Sequence, residues 1–127
     1  MILDDLRKLT SLDLSNHTNL EDVYVSYCVS LNDINFSGCS ALKDLDVYYI
    51  SNSKSCNLNL SGCSSLVTLN NDWSDPYLYR LNSVDFTGCS SLEYVNLYDG
   101  DISNLDFSDS PKLTYLDIRY NAMTKEA

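Results

Sequence analysis

Few residues in this chain could do covalent or metal chemistry. There is one histidine, His17, and there are five cysteines, Cys28, Cys39, Cys56, Cys63 and Cys89, with no CxxC pair. A cysteine beside a histidine can become a thiolate nucleophile, and the same residue types can hold zinc. His17 and Cys39 occupy equivalent places in successive repeats, yet the sequence offers no third group to orient the imidazole and no oxyanion hole. Their position predicts a buried turn. Cys39, Cys63 and Cys89 recur in one column after Gly38, Gly62 and Gly88. Stacked thiols do not converge on an ion, so they read as a ladder of small apolar side chains. An acidic column, Asp13, Asp85 and Asp106, has the donor type for calcium but is interrupted by Asn35 and Asn59. It reads as a solvated face. No enzyme activity, cofactor or metal is expected.

The other chemistry the composition offers is recognition by rings. The chain has ten Tyr, one Trp and three Phe. Tyr and Trp bring large rigid contact area, few rotors to freeze and a polar tip, which suits them to binding surfaces. Whether they share a surface depends on the elements that carry them.

Those elements are written as a repeat. The phrase apolar-x-apolar begins at Leu12, Ile34, Leu58, Val84 and Leu105 (series A) and at Val23, Leu45, Leu69, Val95 and Leu116 (series B). Each A phrase precedes its B phrase by 11 residues, whereas the steps from B to the next A are 11, 13, 15 and 10. Period-two alternation describes a short strand with one face buried. An apolar residue such as Leu31, Leu42, Leu66 or Leu92 usually lies three before the phrase, and a small or hydrogen-bonding residue lies five after its start. Seven residues between strands leave no room for an ordinary packed helix. The expectation is a mostly β, right-handed solenoid of five coils with two parallel sheets. Coils start near residues 9, 31, 55, 81 and 102, residues 1–8 form a partial N-terminal cap, and Phe36, Phe86 and Phe107 point inward. Residues 1–127 then form a single domain, read as part of a longer array because repeat arrays need covered ends.

The outward positions of a phrase are the one before it, its second and fourth, and the fifth at the turn. In series A these are nearly constant, with Asp or Asn second and Ser or Thr fourth, and none is aromatic. In series B they carry Tyr24, Tyr27, Tyr48, Tyr49, Trp73, Tyr94, Tyr98, Tyr115 and Tyr120, interspersed with Asp46, Asn70, Asp72, Asn96, Asp99, Asp117 and Arg119. The insertions SNSKSC (51–56) and SDPYLYR (74–80) leave the same edge and add Tyr77 and Tyr79. Aromatics are good strand formers, but strand propensity acts on both sheets and these rings occupy one. The constant sheet therefore reads as scaffold and the varied one as a ligand face. The candidate binding residues are Tyr24, Tyr27, Tyr48, Tyr49, Asp72, Trp73, Tyr98, Asp99, Arg119 and Tyr120.

The pattern LxxLxLxx[N/C]xxL resembles leucine-rich repeat proteins, most clearly in "LTYLDIRYNAM" (113–123). Phrases such as "LNLSGCSSL" (58–66) are similar to repeats of BspA-type bacterial surface proteins and of plant disease-resistance receptors. The resemblance spans Leu9 to about Met123. It implies a solenoid fold and a role in adhesion, recognition or immune-type sensing, in line with a protein partner. Rings beside Asp and Asn also suit stacking on sugars, so carbohydrate is the alternative ligand, and a purely structural array segment is a third reading.

Net charge is −10, from eight Lys and Arg against eighteen Asp and Glu. Such a surface repels phosphate backbones and anionic lipid, so nucleic acid is not an expected partner. No apolar run is long enough to span a bilayer, and no membrane insertion is expected. The acids in MILDDLRKLT do not suit a signal peptide. An odd cysteine count points to free thiols and a reducing compartment, while the family resemblance points to the cell surface. Asn16-His-Thr18, Asn35-Phe-Ser37 and Asn59-Leu-Ser61 match the glycosylation pattern, but the repeat itself generates them.

Overall fold

The structure, a computed structural model, describes residues 1–50, 56–71 and 81–123. Ten short strands run in order β1 (Ile2–Asp4), β2 (Ser11–Asp13), β3 (Asp22–Ser26), β4 (Asp33–Asn35), β5 (Asp44–Tyr48), β6 (Cys56–Asn59), β7 (Thr68–Asn70), β8 (Leu81–Asp85), β9 (Tyr94–Asn96) and β10 (Tyr115–Asp117). They form two parallel sheets, β1-β3-β5-β7-β9-β10 and β2-β4-β6-β8. The molecule is a mostly β parallel solenoid of about five turns, with no helix among the described residues.

The register follows the repeat. Val23, Leu45, Leu69, Val95 and Leu116 lie opposite one another along the six-stranded sheet, and Leu12, Ile34, Leu58 and Val84 along the four-stranded one. Equivalent inward residues therefore stack, and one contiguous core results. Leu31, Phe36, Leu42, Leu45, Leu58, Leu60, Leu66 and Leu69 are fully buried in it. Each such side chain contributes about 1.5–3 kcal/mol through removal from water.

The constancy of series A has a local cause. The second residue of each A phrase accepts the N–H of the residue two further on: Asp13 from Ser15 (3.0 Å), Asn35 from Ser37 (2.9 Å), Asn59 from Ser61 (2.9 Å), Asp85 from Thr87 (2.9 Å) and Asp106 from Ser108 (2.8 Å). These Asx turns end the strand and explain why only Asp or Asn stands there. The chain then passes through a left-handed residue, Asn16 at φ 60° and Gly38, Gly62 and Gly88 at φ 74–78°. The cysteine after each glycine donates its thiol to a carbonyl of the preceding coil: Cys39 to Leu14 (3.0 Å), Cys63 to Phe36 (3.2 Å) and Cys89 to Leu60 (3.2 Å).

Two elements depart from expectation. Residues 1–8 are more than a partial cap, because β1 pairs with β3 and sets Leu3 opposite Val25. Met1-Ile2-Leu3 is thus a further B phrase, hidden by having no leading leucine. In the other direction, the fifth A phrase, Leu105-Asp106-Phe107, is not a strand and does not join β8. The connection leading to it is the shortest of the four, 10 residues from Val95 to Leu105. Phe107 still packs inward, 4.9 Å from the Phe86 ring.

Candidate functional site

The aromatic residues of series B that fall in the described region gather on the outer face of the six-stranded sheet, in two groups. The first belongs to β3 and β5. Tyr24 and Tyr48 lie 5.5 Å apart at 55°, and Tyr27 stacks on Tyr49 at 4.8 Å with ring planes within 6°. The Tyr48 hydroxyl accepts from the Asn70 amide (2.9 Å) and donates to Asp46 (3.3 Å), which fixes the ring in orientation. Asn70, opposite Asp46 in the register, is a site residue beyond the expected set.

The second group belongs to β9 and β10. Tyr94 stacks on Tyr115 at 4.4 Å, and Tyr98 meets Tyr120 edge-on at 5.2 Å. The Arg119 guanidinium lies over the Tyr98 ring, 5.3 Å from its centre, and forks onto Asp117 at 2.7 and 3.0 Å. This pair holds the Asp117 carboxyl below the usual carboxylate range and raises the arginine further. A ring with a cation on its face and a carboxylate beside it is a worked example of what this surface does with a guanidinium.

Position by position, Tyr24, Tyr48, Tyr98 and Asp99 are half-buried, while Tyr27, Arg119 and Tyr120 are exposed. Tyr49 differs from expectation: only 8% of it is exposed, with Tyr27 stacked on one face, so it supports its neighbour more than it meets solvent. Asp72 and Trp73, like Tyr77 and Tyr79 of the insertion, lie outside the described residues.

The backbone beneath these rings is unusual. The fifth position of the B phrases is left-handed at Tyr27 (φ 52°), Tyr49 (φ 50°), Asp99 (φ 60°) and Tyr120 (φ 59°), and Asp5 takes the same conformation after β1 (φ 60°). Series A fills the equivalent turn with Asn16, Gly38, Gly62 and Gly88, which adopt it at little cost. A side chain such as Tyr is rarely found there. Comparing the fifth positions of the two series would have exposed this contrast from sequence.

Among the described residues His17 and the cysteines do not converge. His17 is exposed rather than buried, and its Nδ1 lies 2.8 Å from the Leu14 carbonyl, the same carbonyl that accepts the Cys39 thiol. The two residues thus share an acceptor instead of pairing. All five cysteines are buried free thiols, and burial pushes Cys56, Cys63 and Cys89 up to about 12, far from a thiolate at neutral pH. Among the described residues no group of three His, Cys, Asp or Glu is placed to hold a metal.

Fold and site together define a parallel β-solenoid with one plain sheet and one aromatic sheet, with Asx turns in both. No family model, no curated protein and no solved structure matches the chain.

Proposed function

We propose that this chain is a non-enzymatic binding module that recognises a protein partner through the aromatic face of its six-stranded sheet. The observation that carries the reading is the cost of the tyrosines. Holding a residue with a Cβ in the left-handed region costs about 1–2 kcal/mol, and the four-stranded sheet shows that glycine or asparagine serves the same turn. Three tyrosines nevertheless occupy it in the six-stranded sheet. Strain kept where a cheaper residue would do points to a ring needed for something other than folding. Rings flanked by Asp46, Asp99, Asp117 and Arg119 offer a partner apolar contact, hydrogen bonds and charge on one surface. The resemblance of the repeats to leucine-rich repeat proteins, with their roles in recognition and adhesion, supports the same reading.

The test separates binding from folding. Tyr120 is 70% exposed, so Tyr120→Gly loses little burial and relieves strain, whereas Tyr27, 40% exposed, is stacked on Tyr49 and Tyr27→Gly also uncovers that ring. Loss of the edge-on contact with Tyr98 offsets about 0.5–1.5 kcal/mol of that relief. Tyr120→Gly is expected to melt within a few degrees of the parent, since about 1 kcal/mol moves a domain near this size by roughly 4 °C. Peptides selected from a display library against the parent should lose more than about 1 kcal/mol of affinity for either variant, as hot-spot residues do. A large drop in melting temperature with affinity unchanged would assign the rings to sheet stability. A strong, competable signal on a glycan array would make the partner a carbohydrate.

A further inference from the structure

The four-stranded sheet stops one strand early, and the place where it stops is a slot. On this side the fifth coil stays pinned to the fourth at both ends, and beyond the second pin the Ser110 hydroxyl also donates to the Cys89 carbonyl at 2.9 Å. Asp101 N–H donates to the Leu81 carbonyl at 3.0 Å, and Gly88 N–H donates to Asp109 Oδ2 at 2.9 Å. Between the pins the backbones part, although the Phe86 and Phe107 rings stay in contact beneath (4.9 Å), and a half-open cleft of about 290 Å³ lies between Ser83–Thr87 and Asn104–Asp109. The ladder bond that belongs here is not made. In earlier coils the third residue of the A phrase donates its N–H to the next coil, from Leu14 to Asn35 (2.8 Å), Phe36 to Asn59 (2.9 Å) and Leu60 to Asp85 (3.0 Å). Phe86 has no such bond to Asp106, although the Phe86 residue is only 2% exposed.

Two causes act together. The short connection into Leu105 leaves little chain to reach strand register. Charge opposes closure as well. Neighbours on the outer face of this sheet never set one acid against another: Ser11 faces Asp33, Asp33 faces Asn57, Asn57 faces Ser83, Asp13 faces Asn35, Asn35 faces Asn59 and Asn59 faces Asp85. Closing the slot would set Asp106 against Asp85, the first like-charged pair in the sheet. Asp22 and Asp44 show that one such pair alone does not part a ladder, but five residue pairs hold those strands together.

We infer that this slot receives a short, extended, basic segment of a partner protein, added as a strand between β8 and residues 104–108. An unpaired strand edge is a template for such addition. The occupant's charge follows from the walls, where Asp85, Asp106 and Asp109 contribute carboxylates and no Lys or Arg is present. Each carboxylate spends one oxygen on a backbone N–H, at Thr87, Ser108 and Gly88, and keeps the other for an incoming cation. Cationic side chains from the added strand relieve the repulsion that keeps the slot open, while its backbone supplies the acceptor for Phe86 N–H. The surface lies on the sheet opposite the aromatic face, so it stands independently of the function proposed there.

The probe is a pool of pentapeptides of pattern Lys-x-Lys-x-Lys, with Glu-x-Glu-x-Glu and backbone N-methylated Lys-x-Lys-x-Lys pools beside it. Amide exchange and chemical shifts of the whole chain are followed by NMR. The expected result is slowed exchange at Phe86 and at residues 104–108 with the basic pool, binding weakened at least about tenfold by N-methylation, as loss of one or two ladder bonds implies, and none with the acidic pool. Asp106→Asn, which restores the neighbour pattern of Asn35 and Asn59, should slow Phe86 exchange without peptide and reduce peptide binding. The inference is overturned if Phe86 in the free parent exchanges as slowly as Leu60, because the fifth strand is then closed in solution. It is equally overturned if the basic pool leaves Phe86 unchanged, or shifts the Tyr27 and Tyr98 faces instead.

Discussion

Asp117 serves both the turn that ends its strand and the aromatic face above it. It lies at the second position of the last B phrase, accepts the Arg119 N–H at 3.1 Å and carries the guanidinium that sits over Tyr98. Its side chain is 7% exposed and its carboxyl is held low chiefly by the bond from Arg119. The sign of the consequence is fixed by linkage. A carboxyl depressed in the folded state stabilises the fold above its unfolded value, near 4, and that contribution is lost as pH falls through the folded value. Asp13 and Asp106 are lowered too, by the N–H groups of Ser15 and Ser108, and act in the same direction. Urea midpoints measured from pH 6 down to pH 2 should therefore fall below about pH 4. Asp117→Asn should make that fall shallower without abolishing it. A variant as acid-sensitive as the parent would mean the pair does not survive in solution.

At the scale of the element, one unit of about eleven residues is used twice per coil and finished in two ways. Asx turns occur in both, at Asn59 and at Asn96 and Asp117, but in series A a glycine and then a thiol bonded to the coil before complete the turn. Gly62 tests this economy. A Cβ there would make ordinary contact with Gly38, 3.5 Å from its nitrogen, so space is no obstacle. The cost of Gly62→Ala comes from φ +78° alone and should be about 1–2 kcal/mol in equilibrium denaturation. The opposite exchange in the aromatic sheet, at the exposed Tyr120 (Tyr120→Gly), should cost far less. Strand positions were legible because the alternation of Leu45-Asp46-Val47 or Leu58-Asn59-Leu60 has no other good solution. The missing fifth A strand was not legible, since Leu105-Asp106-Phe107 carries the same alternation as its neighbours. What defeats it is the next strand's charge and the length of one connection, neither of which is local to the phrase.

The whole molecule is a stack in which each coil touches only the coil before and after it. Stability in such arrays is close to a sum of repeat and interface terms, so the ends are the weakest part. The burial agrees: Leu45, Leu66 and Leu69 in the middle are fully covered, while Ile2, Leu6 and Leu116 near the ends are exposed. Amide exchange should rank accordingly, with β5, β6 and β7 protected most and β1, β2 and β10 least. Uniform protection along the chain would contradict an uncoupled stack.

The residues by themselves determined the two sheets, their register, the buried cysteine column and the gathering of tyrosines on one of them. Each follows from a period-two pattern repeated at a constant offset, and a periodic pattern constrains its neighbours wherever it is read. Only the tertiary structure decided that Met1–Leu3 adds a strand, that Tyr49 is covered, that His17 and Cys39 share a carbonyl, and that β8 ends its sheet beside an open slot. Those outcomes depend on which residue of the next coil lies about 4.8 Å away across the ladder, and stacking places residues some twenty positions apart in contact.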